Sequence, residues 1–147
     1  MEIIFIHEKD FSRARDFIRK NKDKKIIFSG DDDELNRKIL EKEKINVLLL
    51  NQSGRKDRQK QRESGFDHVM AKLAKKNNVA IGINLEEIIG SHGKKKAEIL
   101  ARIQQNIKLC NKNNLKMIFL KNQGRNPYDL KSLGLVLGMP TWMTKES

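Results

Sequence analysis

The sequence predicts an α/β fold: about six βα units around a parallel sheet that is either open or an incomplete barrel. Two observations predict it. Six short β-rich runs recur along the chain, and between them lie segments whose apolar residues fall three or four apart, the period of a helix that buries one face. Strictly alternating strands and helices imply parallel strands with right-handed crossovers. A third observation limits the result. A closed eight-stranded barrel needs roughly 200 residues or more, and this chain has 147. By length it is a single domain over 1–147, and an unclosed sheet leaves an edge that a partner could cover.

The strands are expected at Ile3 to Ile6, Lys25 to Phe28, Asn46 to Leu50, Val79 to Ile83, Lys116 to Leu120 and, more weakly, Pro140 to Thr144. Near-continuous apolar runs of this kind suit a sheet covered on both faces. Helical stripes run through Phe11, Ala14, Phe17 and Ile18, through Leu35, Ile39 and Leu40, and through Val69, Met70, Leu73 and Ala74. Two more follow, through Leu100, Ile103, Ile107 and Cys110, and through Leu130, Leu133, Gly134 and Leu137. On the fourth helix Cys110 is expected in the core. Ser64 with Asp67 resembles a capping box, Asn126-Pro127 supplies a cap followed by proline at the first helical position, and Gly138 stops the last helix.

Charge is unevenly distributed. The formal net charge is +12, yet residues 1–50 hold 12 Lys/Arg against 11 Asp/Glu while residues 51–147 hold 19 against 8. Clustered cations gain free energy by releasing counterions from a phosphate backbone, so a polyanionic partner is expected. A membrane is not, because no segment pairs a basic face with bulky aromatic anchors or approaches 18 apolar residues. A single cysteine and an N-terminus without signal-peptide features imply a cytoplasmic, reducing setting.

In parallel α/β sheets the loops at the carboxyl ends of the strands carry function. The most conspicuous here is 51–64, which follows the third strand and includes Arg55, Lys56, Arg58, Lys60 and Arg62. The SGDDDEL turn after strand two is another; Asp31, Asp32 and Asp33 suit helix capping better than cation binding. His7, His68 and His92 are the candidate metal ligands, without His-x-His or His-Glu-x-x-His spacing to support them. Neither SGRKD nor GSHGKKK completes a phosphate loop. Lys94, Lys95 and Lys96 oppose the dipole of the helix they begin, which suits a solvated start or an external anion. Aromatics total 5%, with Tyr128 and Trp142 far apart in sequence, so recognition of RNA shape and backbone by Arg and Lys is expected in place of base stacking.

Two stretches carry a family resemblance. RKD at 55–57 followed by GFDHVMAKLAKKNNVAIGINL at 65–85, and NPYDLKSLGLVLGM at 126–139, resemble motifs of the archaeal ribonuclease P protein component 3 family, the thirty-kilodalton subunit. The likeness covers roughly residues 45–140; the first 44 residues match only in their β-α pattern. It implies a TIM-barrel-like fold shortened at the N-terminus, corresponding to the last six βα units. It implies a non-catalytic RNA-binding subunit of the ribonucleoprotein that removes the 5′ leader from precursor tRNA. The RNA performs the chemistry with magnesium, and the protein binds no cofactor of its own. Its partners would be ribonuclease P RNA, the protein component 2 subunit and, indirectly, precursor tRNA.

By the same resemblance Arg55, Lys56, His68, Lys72, Lys76, Lys112 and Arg125 are the expected phosphate or ribose contacts. Asp57 would orient Arg55 or cap a turn, and His68 has a rival role as a neutral side chain hydrogen-bonded near its helix start. RQKQRE at 58–63 looks inserted relative to the family, and Glu86-Glu87 stands where members commonly have Arg-Pro. Two other readings remain open: a metal-dependent phosphoesterase of a related barrel fold using His7, His68 and His92, and a general basic RNA-binding protein. A homo-oligomer, in which a second copy completes the sheet, is also compatible.

Overall fold

The computed structural model describes residues 2–57, 62–122 and 124–145. The order is β1 (Ile3–Glu8), α1 (Phe11–Lys20), β2 (Lys25–Gly30), α2 (Asp33–Lys42), β3 (Val47–Leu50), α3 (His68–Lys76), β4 (Ala80–Asn84), α4 (Leu85–Gly90), α5 (Gly93–Lys112), β5 (Met117–Leu120) and α6 (Pro127–Leu137). A short 3-10 turn at Thr141–Thr144 follows. Among the described residues five strands, all parallel, pair in chain order from β1 to β5. Chain-order pairing is the winding of a barrel wall, and here the wall stays open, with β1 and β5 as its two edges.

Strand periodicity separates the faces. Ile6, Ile26, Phe28, Leu48, Leu50, Ile81, Ile83 and Met117 point into one core together with the buried faces of the helices. The alternate residues Ile27, Val47 and Leu49 form a second, smaller cluster with Ala80, Ile118 and Leu120, all from strands. Register places Phe5 beside Ile27, Ile27 beside Val47 and Val47 beside Ala80. The expectation of a sheet covered on both faces is therefore corrected. Helices cover one face, and the apolar residues of the other pack mainly on one another across the curved wall. Gly82 permits this, since a Cβ there would stand 2.5 Å from Leu120 Cδ1. At the open edge Ile3 and Phe5 are 52% and 55% exposed.

The helices begin where short polar side chains accept backbone N–H groups. Asp10 accepts from Arg13, Asp32 from Leu35, Asp67 from Met70 and Asn126 from Tyr128. Each such cap is worth about 0.5–2 kcal/mol. Asp32 thus bears out the capping reading of the acidic triplet, and Gly138, at φ 107°, ends α6 as expected. The capping box at Ser64 is corrected: Asp67 itself is the cap, and Ser64 is buried, donating to Asn106 Oδ1 at 2.6 Å. Cys110 is fully buried, as expected.

Two elements differ from expectation. The sixth strand, Pro140 to Thr144, is the 3-10 turn, closed by Met143 N donating to Pro140 O and Thr144 Oγ1 donating to Thr141 O. Only Met143 of its four residues is buried, so the segment anchors one side chain in the core and pairs with no strand. Helix α4 was not expected, because six residues give too short a stripe to stand out. Its signal is Asn84 as cap, Glu86 and Glu87 in the first turn, and Leu85 with Ile88 buried. Among the described residues no helix is long and apolar enough to cross a membrane.

Candidate functional site

The carboxyl ends of the strands carry a ladder of polar side chains. His7 on β1 stands beside Ser29 on β2. Asn51, one residue past β3, donates to Ser29 Oγ at 3.1 Å, and Asn84 at the end of β4 donates to Asn51 Oδ1 at 2.8 Å. His7 Nε2 lies 3.0 Å from Asp31 Oδ1. These groups are the floor on which the basic loop rests.

That loop is clamped from three sides. From α5, Arg102, 2% exposed, donates through Nε to Asp57 Oδ1 at 3.0 Å, through Nη1 to Gln52 O at 3.3 Å and through Nη2 to Arg55 O at 2.9 Å. From α4, both Glu87 carboxylate oxygens accept backbone N–H groups, of Gln52 and Ser53, each at 2.7 Å. From α2, Asp33 accepts a bidentate pair from Arg55 at 2.9 Å and 2.9 Å, while Arg55 Nε donates to Asn51 O at 2.7 Å. Gly65, at φ +77°, lets the Arg55 guanidinium lie against the backbone, because a Cβ there would stand 2.3 Å from Nη2.

Asp57 accepts from the Glu63 backbone N–H at 2.9 Å as well as from Arg102. The Glu63 N–H first, and then the Arg102 guanidinium, hold its carboxyl below the usual 3.8, against the opposing effect of desolvation. It therefore closes a turn, as expected, but its charged partner is Arg102 and not Arg55.

The seven expected contacts do not form one site. Helices in βα units run back from the carboxyl to the amino ends of the strands. Arg55, Lys56, His68 and Arg125 therefore sit at the carboxyl end, Lys76 and Lys112 at the amino end, and Lys72 between. His68 and Lys76 begin and end the nine residues of α3, which sets their separation at about 13 Å, at 1.5 Å per residue. Arg55 is half-buried; the other six are exposed. His68 lines a groove with Glu34, Arg62 and Asp67, whereas Arg125 lines a different one, beside β5, with Lys116, Lys131 and Lys145. Arg58, Lys60 and most of the apparent insertion lie outside the described residues.

The metal-site reading requires three histidines that the fold keeps apart. His7 lies on β1, His68 begins α3 and His92 immediately precedes α5. Among the described residues no group of three or more His, Cys, Asp or Glu could hold a metal ion.

Sequence reasoning missed Glu87 and Arg102. Arg102 had a signal: it lies at helical spacing between Ile99, Ile103 and Asn106 on the buried face of α5, and an arginine on an apolar stripe demands buried acceptors. Glu87 had none beyond the departure from the family's pattern.

Comparison with known proteins places this architecture. The chain matches the family model described as RNase P subunit p30 over residues 4–147. Ribonuclease P protein component 3 of Methanocaldococcus jannaschii is 31% identical over 140 residues, which cover 90% of this chain and 58% of that protein. The protein of the same name from Methanothermobacter thermautotrophicus is 30% identical over 139 residues, 95% of this chain and 54% of the relative. A chain in a cryo-EM structure of archaeal Ribonuclease P with mature tRNA superposes with a TM-score of 0.79 at 28% identity, covering 96% of this chain and 62% of that one. The chain spans a little over half the length of these two named relatives.

Proposed function

The chain belongs to the RNase P subunit p30 family, and on that premise we propose that it is an RNA-binding subunit of ribonuclease P, stabilising the catalytic RNA without performing the chemistry. The observation that carries the reading is the match along residues 4–147, supported by the superposition on a chain of archaeal Ribonuclease P. The protein works in the cytoplasm beside ribonuclease P RNA and the protein component 2 subunit, and meets precursor tRNA through the RNA. Magnesium belongs to that RNA. The open edges β1 and β5 are where further βα units, a partner or a second copy would continue the wall.

Lys56, His68 and Arg125 at one end, and Lys72, Lys76 and Lys112 along and beyond α3 and α5, are the proposed phosphate or ribose contacts. Arg55 would join them only by exchanging Asp33 for a phosphate; its present bonds hold the loop that carries Lys56. The test is a filter-binding titration against ribonuclease P RNA of the same source and against an unrelated structured RNA of equal length. Tighter binding to the former across salt concentrations is expected. Equal affinity for the two RNAs would support the general basic RNA-binding protein instead.

A further inference from the structure

We propose that the dominant RNA contact is the rim at the amino ends of the strands, opposite the loops where parallel α/β proteins usually place function. This rests on the RNA-binding reading above and specifies the surface. The evidence is where the turns put charge.

The α1–β2 turn brings Arg19, Lys20, Lys22 and Lys24 to this rim, and the α2–β3 turn adds Lys42 and Lys44. Lys75 and Lys76 follow from the end of α3, then Lys112 and Lys116 from the α5–β5 turn, and Lys145 from the last described segment. Hydrogen bonds join these segments into one surface. Arg19 on α1 pairs with Glu43 after α2, Asn77 after α3 donates to Leu40 O of α2, Lys75 donates to Asn114 O after α5, and Lys116 donates to Lys145 O. Among the described residues the carboxylates on the rim are Glu2, Asp23, Glu41 and Glu43. Glu43 is nearly buried and held by both Arg19 donors, and Glu2 lies 3.7 Å from Lys24. Between the ends of α1, α2 and α3 the rim opens into a groove of about 570 Å³, where Lys22, Lys42 and Lys44 meet the amides of Asn46, Asn77 and Asn78. Amide donors flanked by ammonium groups are the chemistry that takes a phosphodiester backbone.

The carboxyl end is mixed, since Lys56, Lys94, Lys95, Lys96 and Arg125 stand there beside many carboxylates. Its β2–α2 turn presents Asp31, Asp32, Asp33 and Glu34, and α4 begins with Glu86 and Glu87. Arg55 is neutralised by Asp33, and Arg102 is buried against Asp57. The two ends lie about 13 Å apart along the nine residues of α3, more than one Debye length at physiological salt, so exposed charges at one end are partly screened from those at the other. The chain thus presents RNA with one attractive end and one mixed end.

The experiment compares two matched charge reversals in the whole chain: Lys22→Glu, Lys44→Glu and Lys76→Glu on the rim, against Lys9→Glu, Lys94→Glu and Lys95→Glu at the carboxyl end. All six lysines are exposed, and glutamine versions guard against a misfolded reversal. Filter binding of ribonuclease P RNA is measured from low to physiological salt, with anionic phospholipid vesicles as a second probe. The rim variant should lose at least tenfold in affinity and roughly two units of salt slope, at up to about 0.9 unit per phosphate contact, while the carboxyl-end variant stays within twofold. The reverse pattern overturns this surface and leaves RNA binding intact. If both variants bind as the unaltered chain does, the rim is overturned and the contact lies elsewhere on the chain; only failure of the unaltered chain to bind the RNA removes the RNA-binding reading. Tighter binding to vesicles than to RNA, lost in the rim variant, reassigns the rim to a membrane.

Discussion

Replacing Arg102 by methionine removes the α5 side of the loop clamp while keeping a long unbranched side chain in the same space. The change strands two backbone acceptors, Gln52 O and Arg55 O, and one side of the Asp57 carboxylate. A buried acceptor left without its donor costs about 1–3 kcal/mol. The lower figure suits both carbonyls here, because Arg55 is only half-buried and the bond to buried Gln52 is long at 3.3 Å. Asp57 keeps the Glu63 N–H and is 31% exposed, so solvent screening holds the loss of its ion pair to about 1 kcal/mol or less. The expected destabilisation is therefore about 3 kcal/mol. In urea, with an m-value of about 1–3 kcal/mol/M, the midpoint followed by circular dichroism should fall by between 1 and 3 M. Arg102→Lys restores the charge but not three donors on one rigid plane, so it should recover less than half of the loss. A cycle with Asp57→Asn should be non-additive, since the two residues share a bond. Loss below 1 kcal/mol for the methionine variant, or full rescue by lysine, would refute the clamp.

Gly65→Ala meets both an unfavourable φ of +77° and a Cβ position 2.3 Å from Arg55 Nη2. It should cost about 1–2 kcal/mol and displace Arg55 from Asp33; unchanged thermal unfolding would remove Gly65 from the loop's support. Burial pushes the Cys110 thiol up to about 12 from its ordinary 9.0, so it should resist a disulfide reagent at pH 8 in the folded chain and react at once in urea. The folded state then holds its proton while the unfolded thiol ionises, so this contribution to stability is complete below pH 9 and lost as pH rises from 9 towards 12. A Cys110→Ser chain with the same alkaline decline would show that the thiol is not its cause.

The strands were legible because each is a short run of branched apolar residues bounded by turns, and Lys25 to Phe28 or Val79 to Ile83 reads the same in sequence as in space within a residue or two. Pro140 to Thr144 offers only β-branched threonines around Trp142 and Met143, and it also lacks what a strand needs from its surroundings, a neighbour on the free side of β5. Composition reports propensity, and pairing is a property of the whole sheet. The loop shows the same division. Its basic residues are visible in sequence, but the loop's partners Asp33, Glu87 and Arg102 come from three elements 22 to 50 positions away. A resemblance confined to RKD and GFDH cannot report those pairings. Arg55, the first basic residue of the motif, is consequently the one most occupied within its own chain.

The charge polarity was hidden for a different reason. Residues 1–50 look balanced only because a window along the chain adds both ends of the fold together. In a βα repeat every turn from strand to helix lies at one end and every turn from helix to strand at the other, so charges must be sorted by turn type before they are added. Part of the polarity is intrinsic to helices, which favour carboxylates at their first turn and cations at their last, by about 0.3–1 kcal/mol each. Asp32, Asp33, Lys42, Lys75 and Lys76 all fit that account. Lys22, Lys24, Lys44 and Lys116 do not, since they stand beyond the last helical turn, where the dipole effect has fallen away. Helix stabilisation thus explains the start of the basic rim and not its extension into the turns, and that remainder is what a phosphate backbone would use.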